Sequence, residues 1–132
     1  MKKDLKILII EDEKPIIELY EERFSLEEGV ETLKANTGKE GLDILKKTKP
    51  NLILLDILMP EMNGFEFLKE IKKIKEVKNI PVLLLTNLGE SKIDMNKELA
   101  FALGIQGYLI KSKNTPDEVV KKVYKALGVK KV

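Results

Sequence analysis

Five short strand-like runs punctuate the chain, and between them apolar residues recur at helical spacing. The runs cover Leu5–Ile10, Val30–Ala35, Leu52–Leu55, 81–86 and 107–110. Residues 52–55 and 82–85 are apolar at every position, which suits strands covered on both faces, as in a parallel sheet between helix layers. Ile16, Ile17, Tyr20 and Phe24 share one helical face, and so do Val119, Val120, Val123 and Leu127, with lysines opposite. Thr37-Gly38-Lys39-Glu40 and Thr115-Pro116-Asp117-Glu118 read as capping boxes, the second with proline at the first helical position. Gly29, Gly104 and Gly128 stand where helices should stop. Strand–helix alternation repeated five times predicts a doubly wound α/β domain, because right-handed crossovers place helices on both faces of the sheet.

Length and composition narrow this picture. The 132 residues fit one domain with one core, so residues 1–132 are expected to form a single unit. Lys and Arg total 24 against 22 for Asp and Glu, a balance that argues against a nucleic-acid binder driven by bulk charge. The signs are unevenly spread, with ten acids and five bases in residues 1–31. That excess fits a solvated helix face, a cation site or a basic partner. Absence of cysteine excludes disulfides, thiolate chemistry and Cys-type zinc sites. Absence of histidine removes the commonest general base and makes a Ser-His-Asp triad impossible. No apolar run is long enough to span a bilayer, and Met1-Lys2-Lys3-Asp4 leads straight into a strand rather than an export signal. A cytoplasmic protein with no membrane partner and no direct nucleic-acid contact is expected.

The candidate chemistry sits at the ends of the strands. Glu11 and Asp12 follow the first, Asp56 follows the third, Thr86 ends the fourth and Lys111 follows the fifth. Open α/β sheets bind ligands at the carboxyl ends of their strands, near the switch point. Were the first and third strands neighbours there, their ends would lie roughly 5 Å apart and their acids would converge on one cation. Three carboxylates without His or Cys favour an oxygen-seeking ion, and Mg²⁺ suits a site that keeps waters and awaits phosphate.

The order Ile-Ile-Glu-Asp-Glu, Asp-Ile-Leu-Met-Pro-Glu-Met-Asn-Gly, a strand ending in Thr, then Tyr-Leu-Ile-Lys resembles the receiver domain of two-component response regulators over nearly the whole chain. The resemblance implies a flavodoxin-like (βα)5 three-layer sandwich with sheet order 2-1-3-4-5. It also implies that Asp56 accepts a phosphoryl group from a sensor histidine kinase or phosphotransfer protein. Glu11, Asp12, Asp56 and the backbone carbonyl of Leu58 would hold Mg²⁺. Lys111 would neutralise the incoming oxygens, the Thr86 hydroxyl would grip one of them, and Tyr108 would follow Thr86 as an aromatic switch. Such a protein turns over no separate substrate: it catalyses only its own phosphorylation and slow dephosphorylation. The chain is expected to be stand-alone, with output through an unknown partner protein or phosphorelay transfer. The first-helix face near Ile16 would meet the phosphodonor, and the fourth helix, fifth strand and fifth helix would meet targets or a second receiver in a homodimer.

Some positions depart from the family pattern. Ser112 follows Lys111 where proline is usual, Asn87 follows Thr86 where a small residue is usual, and the extra length before Lys111 falls near 88–96. Leu58 and Leu88 are apolar where they would flank the attacking water, which predicts a long-lived phosphorylated state. Two rival readings stand beside this one. A receiver-like interaction module that no longer needs phosphate would keep the fold without the chemistry. A flavin-binding protein would need a Ser/Thr/Gly-rich loop after the first strand, where acids stand instead. Gly38-Lys39 is not a nucleotide phosphate loop, because Glu40 replaces the needed Ser or Thr and Leu33 the first Gly. The basic stretch 69–78 reads as a solvated helix face.

Overall fold

The structure is a computed structural model that describes residues 5–56, 62, 64–86, 105–110 and 114–128. Its elements follow as β1 (Leu5–Ile10), α1 (Lys14–Phe24), β2 (Val30–Ala35), α2 (Gly38–Lys47), β3 (Leu52–Leu55), α3 (Gly64–Lys72), β4 (Val82–Thr86), β5 (Ile105–Ile110) and α4 (Pro116–Leu127). The helix expected between β4 and β5, and the helix stop at Gly104, lie outside the described residues. The five strands form one parallel sheet in the order β2-β1-β3-β4-β5. This is the flavodoxin-like doubly wound arrangement.

Side chains alternate across the sheet with period two, and each face has its own core. Leu8, Ile10, Ile53, Leu55 and Leu84 pack with Leu45 of α2 and Phe67, Leu68 and Ile71 of α3. Ile7, Ile9, Leu52, Leu54, Leu83 and Leu85 pack with Ile17, Tyr20 and Phe24 of α1 and Val119, Val120 and Val123 of α4. The continuous apolar runs of β1 and β3 are thus explained: both faces of both strands are buried.

The element ends show where local rules met competition. Pro81 has no N–H to give, so the β4 ladder starts at Val82, although the Pro81 carbonyl still accepts from Ile53 N–H at 3.0 Å. β5 starts at Ile105 rather than 107, and the β4–β5 pairing shifts between Val82 and Leu83, so that Gln106 has no opposite number. Gly29 does not end α1. That helix stops at Phe24, Ser25 caps it in a right-handed conformation with its hydroxyl donating to the Glu22 carbonyl, and Gly29 at φ 81° feeds the chain into β2. Gly128 does terminate its helix, in the left-handed conformation at φ 68°. Thr115 and Glu118 form the full capping box, and the Thr115 hydrogen bonds hold the Glu118 carboxyl below its usual range. At α2 only half the box forms: Thr37 Oγ1 accepts Glu40 N–H, but the Glu40 carboxylate reaches past the cap and accepts from Asn36 N–H at 2.8 Å. The stretch 69–78 is helix only as far as Lys72; it then turns, and Val77 is buried.

A polar clasp joins α1 to α4. The Arg23 guanidinium donates to Asp117 and to Glu27, and the Tyr124 hydroxyl donates to the other oxygen of Glu27 at 3.0 Å. Burial, then the bond to Glu27, pushes the Tyr124 phenol up to about 12.

Two expectations follow from this packing. A β-carbon at Gly41 would come within 2.6 Å of Ile10 Cδ1 and 3.2 Å of Phe67 Cε2. Gly41→Ala should therefore destabilise by about 1–2 kcal/mol in urea unfolding, with overpacking outweighing the gain in helix propensity; an unchanged or higher midpoint would reject the close approach of α2 to β1. Because the native phenol of Tyr124 titrates above its ordinary value of 10.0, its contribution is complete below that pH and is lost as pH rises through about 12. Tyr124→Phe should flatten that alkaline fall in stability and remove a phenolate step near pH 12 from an absorbance titration.

Candidate functional site

The site is built by the register of β1 against β3. Ile10 pairs with Leu55, so the next residue on each strand, Glu11 and Asp56, leaves the sheet at the same level. The ladder continues past the pair, with Asp56 N–H donating to the Ile10 carbonyl and Glu11 N–H to the Ala35 carbonyl, each at 3.0 Å. One residue further, Asp12 joins them, and carboxylate oxygens of Glu11, Asp12 and Asp56 lie within 4.8 Å of one another. Glu11 and Asp56 are buried, at 1% and 3% exposure, while Asp12 is partly exposed and forms the open side of the cluster.

The surroundings orient these acids. A Glu11 carboxylate oxygen accepts from Glu13 N–H at 3.1 Å, where α1 begins and backbone donors have no helical partner. Asn36 Nδ2 donates to the Glu11 backbone carbonyl at 3.4 Å. Asn36 carried no signal in the sequence beyond its place ahead of the capping Thr37, and its contact joins the end of β1 to the entrance of α2.

Buried carboxylates are costly unless charge or hydrogen bonds compensate them. Two buried acids and one partly exposed acid within 4.8 Å, all offering oxygen, fit a small hard cation, which cancels their repulsion and takes oxygen ligands. The donor set is thus suited to Mg²⁺.

The remaining predicted positions divide by strand. Thr86 closes β4 opposite Ile110, and Leu55 pairs with Leu84, so Thr86 lies one residue past the level of Asp56 on the adjacent strand. Tyr108 pairs with Leu84 on β5. Leu58, Asn87, Leu88, Lys111 and Ser112 lie outside the described residues.

Comparison with known proteins fixes the family. The sequence signature of the response regulator receiver domain matches residues 7–124. The chain belongs to the response regulator receiver domains. This receiver is 44% identical over 95 residues to sporulation initiation phosphotransferase F of Bacillus subtilis (strain 168), covering 71% of this chain and 74% of that protein. It is 38% identical over 109 residues to the transcriptional regulatory protein CpxR homolog of Haemophilus influenzae (83% of this chain), but spans only 44% of that protein's length. It spans 41% of the probable transcriptional regulator ycf27 of Porphyridium aerugineum, which it matches at 34% identity. Among solved structures it resembles the chemotaxis protein CheY4 of Vibrio cholerae (TM-score 0.80, 28% identity, 92% of this chain and 98% of that one). It also resembles a putative response regulator of Chloroflexus aurantiacus (TM-score 0.82, 28% identity, 96% and 99%). Among the described residues, no helix is long and apolar enough to cross a membrane.

The acid cluster generates a direct expectation. At a hundredfold excess over Kd, Mg²⁺ should stabilise the receiver by about 2.7 kcal/mol, because it binds the folded cluster and not the unfolded chain. Asp12→Ala should erase that increment in thermal unfolding; a variant that gains as much as the wild type would show that the ion binds elsewhere.

Proposed function

We propose that this receiver accepts a phosphoryl group on Asp56 from a sensor histidine kinase or phosphotransfer protein, and that the modified domain then switches a protein–protein interaction or passes the group on. The observation that carries the reading is the convergence of Asp56 with Glu11 and Asp12 at the carboxyl ends of neighbouring parallel strands. A carboxylate is a weak nucleophile, so transfer relies on positioning and on neutralising charge. A Mg²⁺ ion held by Glu11, Asp12, Asp56 and the Leu58 carbonyl would supply charge neutralisation for the phosphoryl oxygens. Asp56 contributes the attacking oxygen: its new O–P bond forms as the donor's bond to phosphorus breaks and the departing group keeps the electron pair. Lys111 is assigned to pair with the attached phosphoryl group. Thr86 is assigned to donate its hydroxyl to it, and Tyr108 to report that contact to the surface, so that new charge-assisted bonds bias a two-state element.

The phosphodonor is assigned to the α1 side. Leu19 and Leu26 are 46% and 75% exposed there and line a shallow groove with Pro116. Phosphorelay transfer as output draws support from the relative named a phosphotransferase.

Acetyl phosphate with Mg²⁺, read by intact mass, tests the assignment. Wild-type protein should gain one phosphoryl adduct, and Asp56→Asn none. An equal adduct on the variant would move the acceptor elsewhere. No adduct on either would favour a receiver fold that acts without phosphate.

A further inference from the structure

α2 begins where two other parts of the site end. Its first residue, Gly38, is buried, and a β-carbon there would lie 2.8 Å from Met62 Sδ, 3.2 Å from Cγ and 3.4 Å from Cβ. The methionine side chain therefore lies against the glycine, and a β-carbon there would oblige Sδ to shift and Cγ to give by a few tenths of an ångström. Met62 also packs on the core that contains Ile10 and Leu55, the matched pair from which Glu11 and Asp56 emerge. Asp56 and Met62 are thus each tied to a neighbouring element. One anchor is the Asp56 N–H on the Ile10 carbonyl, and the other is Met62 on Gly38. On the β1 side, Asn36 Nδ2 donates to the Glu11 carbonyl, while the Glu40 carboxylate holds Asn36 by its backbone N–H.

We propose that the first turn of α2 is the positioning element of the acid cluster, with Gly38 and Asn36 setting the spacing between the β1 and β3 carboxylates. The inference deepens the Mg²⁺-dependent reading of the site and rests on it. Mg²⁺ demands near-ideal octahedral geometry and dehydrates reluctantly, so a small change in the separation of its protein ligands weakens binding. Partners that orient ligands without touching the ion commonly matter by one to two orders of magnitude in affinity. Gly38 acts by having no side chain, which lets Met62 lie directly against the start of α2. Asn36 acts through a main-chain carbonyl, and so on the placement of Glu11 and Asp12 together.

Calorimetric Mg²⁺ titration of wild type, Gly38→Ala, Met62→Ala and the double variant, each with a urea midpoint, tests this. Gly38→Ala should bind Mg²⁺ about tenfold more weakly, while its unfolding midpoint falls only modestly, because overpacking against Met62 is partly offset by the gain in helix propensity. The double variant should return to within about threefold of Met62→Ala alone, because the clash needs both side chains. Asn36→Ala, at a partly exposed position away from the methionine, should weaken binding several-fold at unchanged midpoint. Wild-type affinity in both Gly38→Ala and Asn36→Ala, or a loss in Gly38→Ala that truncating Met62 does not relieve, would overturn the positioning role. A wild-type protein that binds no Mg²⁺ sinks the cation reading itself, and this inference with it.

Discussion

The parallel pairing of β1 with β3 is the constraint on which the site depends. Its register, Ile10 opposite Leu55, decides that Glu11 and Asp56 meet. A slip of one residue would place Asp12 or Ile10 at that level and turn each strand's side chains to the opposite face. What prevents the slip lies outside the site. Leu8, Ile10, Ile53 and Leu55 belong to one core and Ile7, Ile9, Leu52 and Leu54 to the other. All eight are buried, and each large aliphatic side chain so buried contributes roughly 1.5–3 kcal/mol. That apolar gain sets the register, and the register then holds carboxylates together that would otherwise stay apart.

The same arrangement explains why the acids stand at strand ends rather than within strands. Inside β1 or β3 a carboxylate would face a helix layer and lose its water without recompense. One residue past the last ladder pair, backbone donors at the start of α1 become available, and Glu11 takes the N–H of Glu13. Asp12, further out, keeps access to solvent. The cluster is therefore graded from closed to open. A cation can enter from the side of Asp12 while the buried pair holds its oxygens in place.

Much of this was legible in the sequence, for reasons that differ from element to element. β1 and β3 were readable because continuous apolar runs of four residues, Ile7–Ile10 and Leu52–Leu55, leave few alternatives. The capping box at Thr115 was readable because it is local, and the structure forms it in full. The sheet order came with the family resemblance, since hydrophobic pattern alone does not say which strands are neighbours. Local templates failed where a longer contact competed. Gly29 looked like a helix stop, yet α1 ends at Phe24, the last residue of its buried face. The capping box at Thr37 was half right, because Glu40 satisfies Asn36 one residue earlier. Asn36 and Gly38 themselves could not be read as parts of the site. Their meaning lies in what reaches them across the fold, the Glu11 carbonyl and the Met62 side chain.

Crowded acids at a switch point suit a reversible switch better than a turnover enzyme. What the geometry offers is placement: a buried carboxylate at Asp56 beside two neighbouring acids, a group whose repulsion a cation would relieve. A phosphoryl group on Asp56, as proposed, would add negative charge at the rim where β1, β3 and β4 end. The strands there are buried in both cores, which opposes their displacement. A rigid sheet that concentrates charge at one rim is thus a device for converting a local change in charge into a change of surface, and that is the physical content of a receiver.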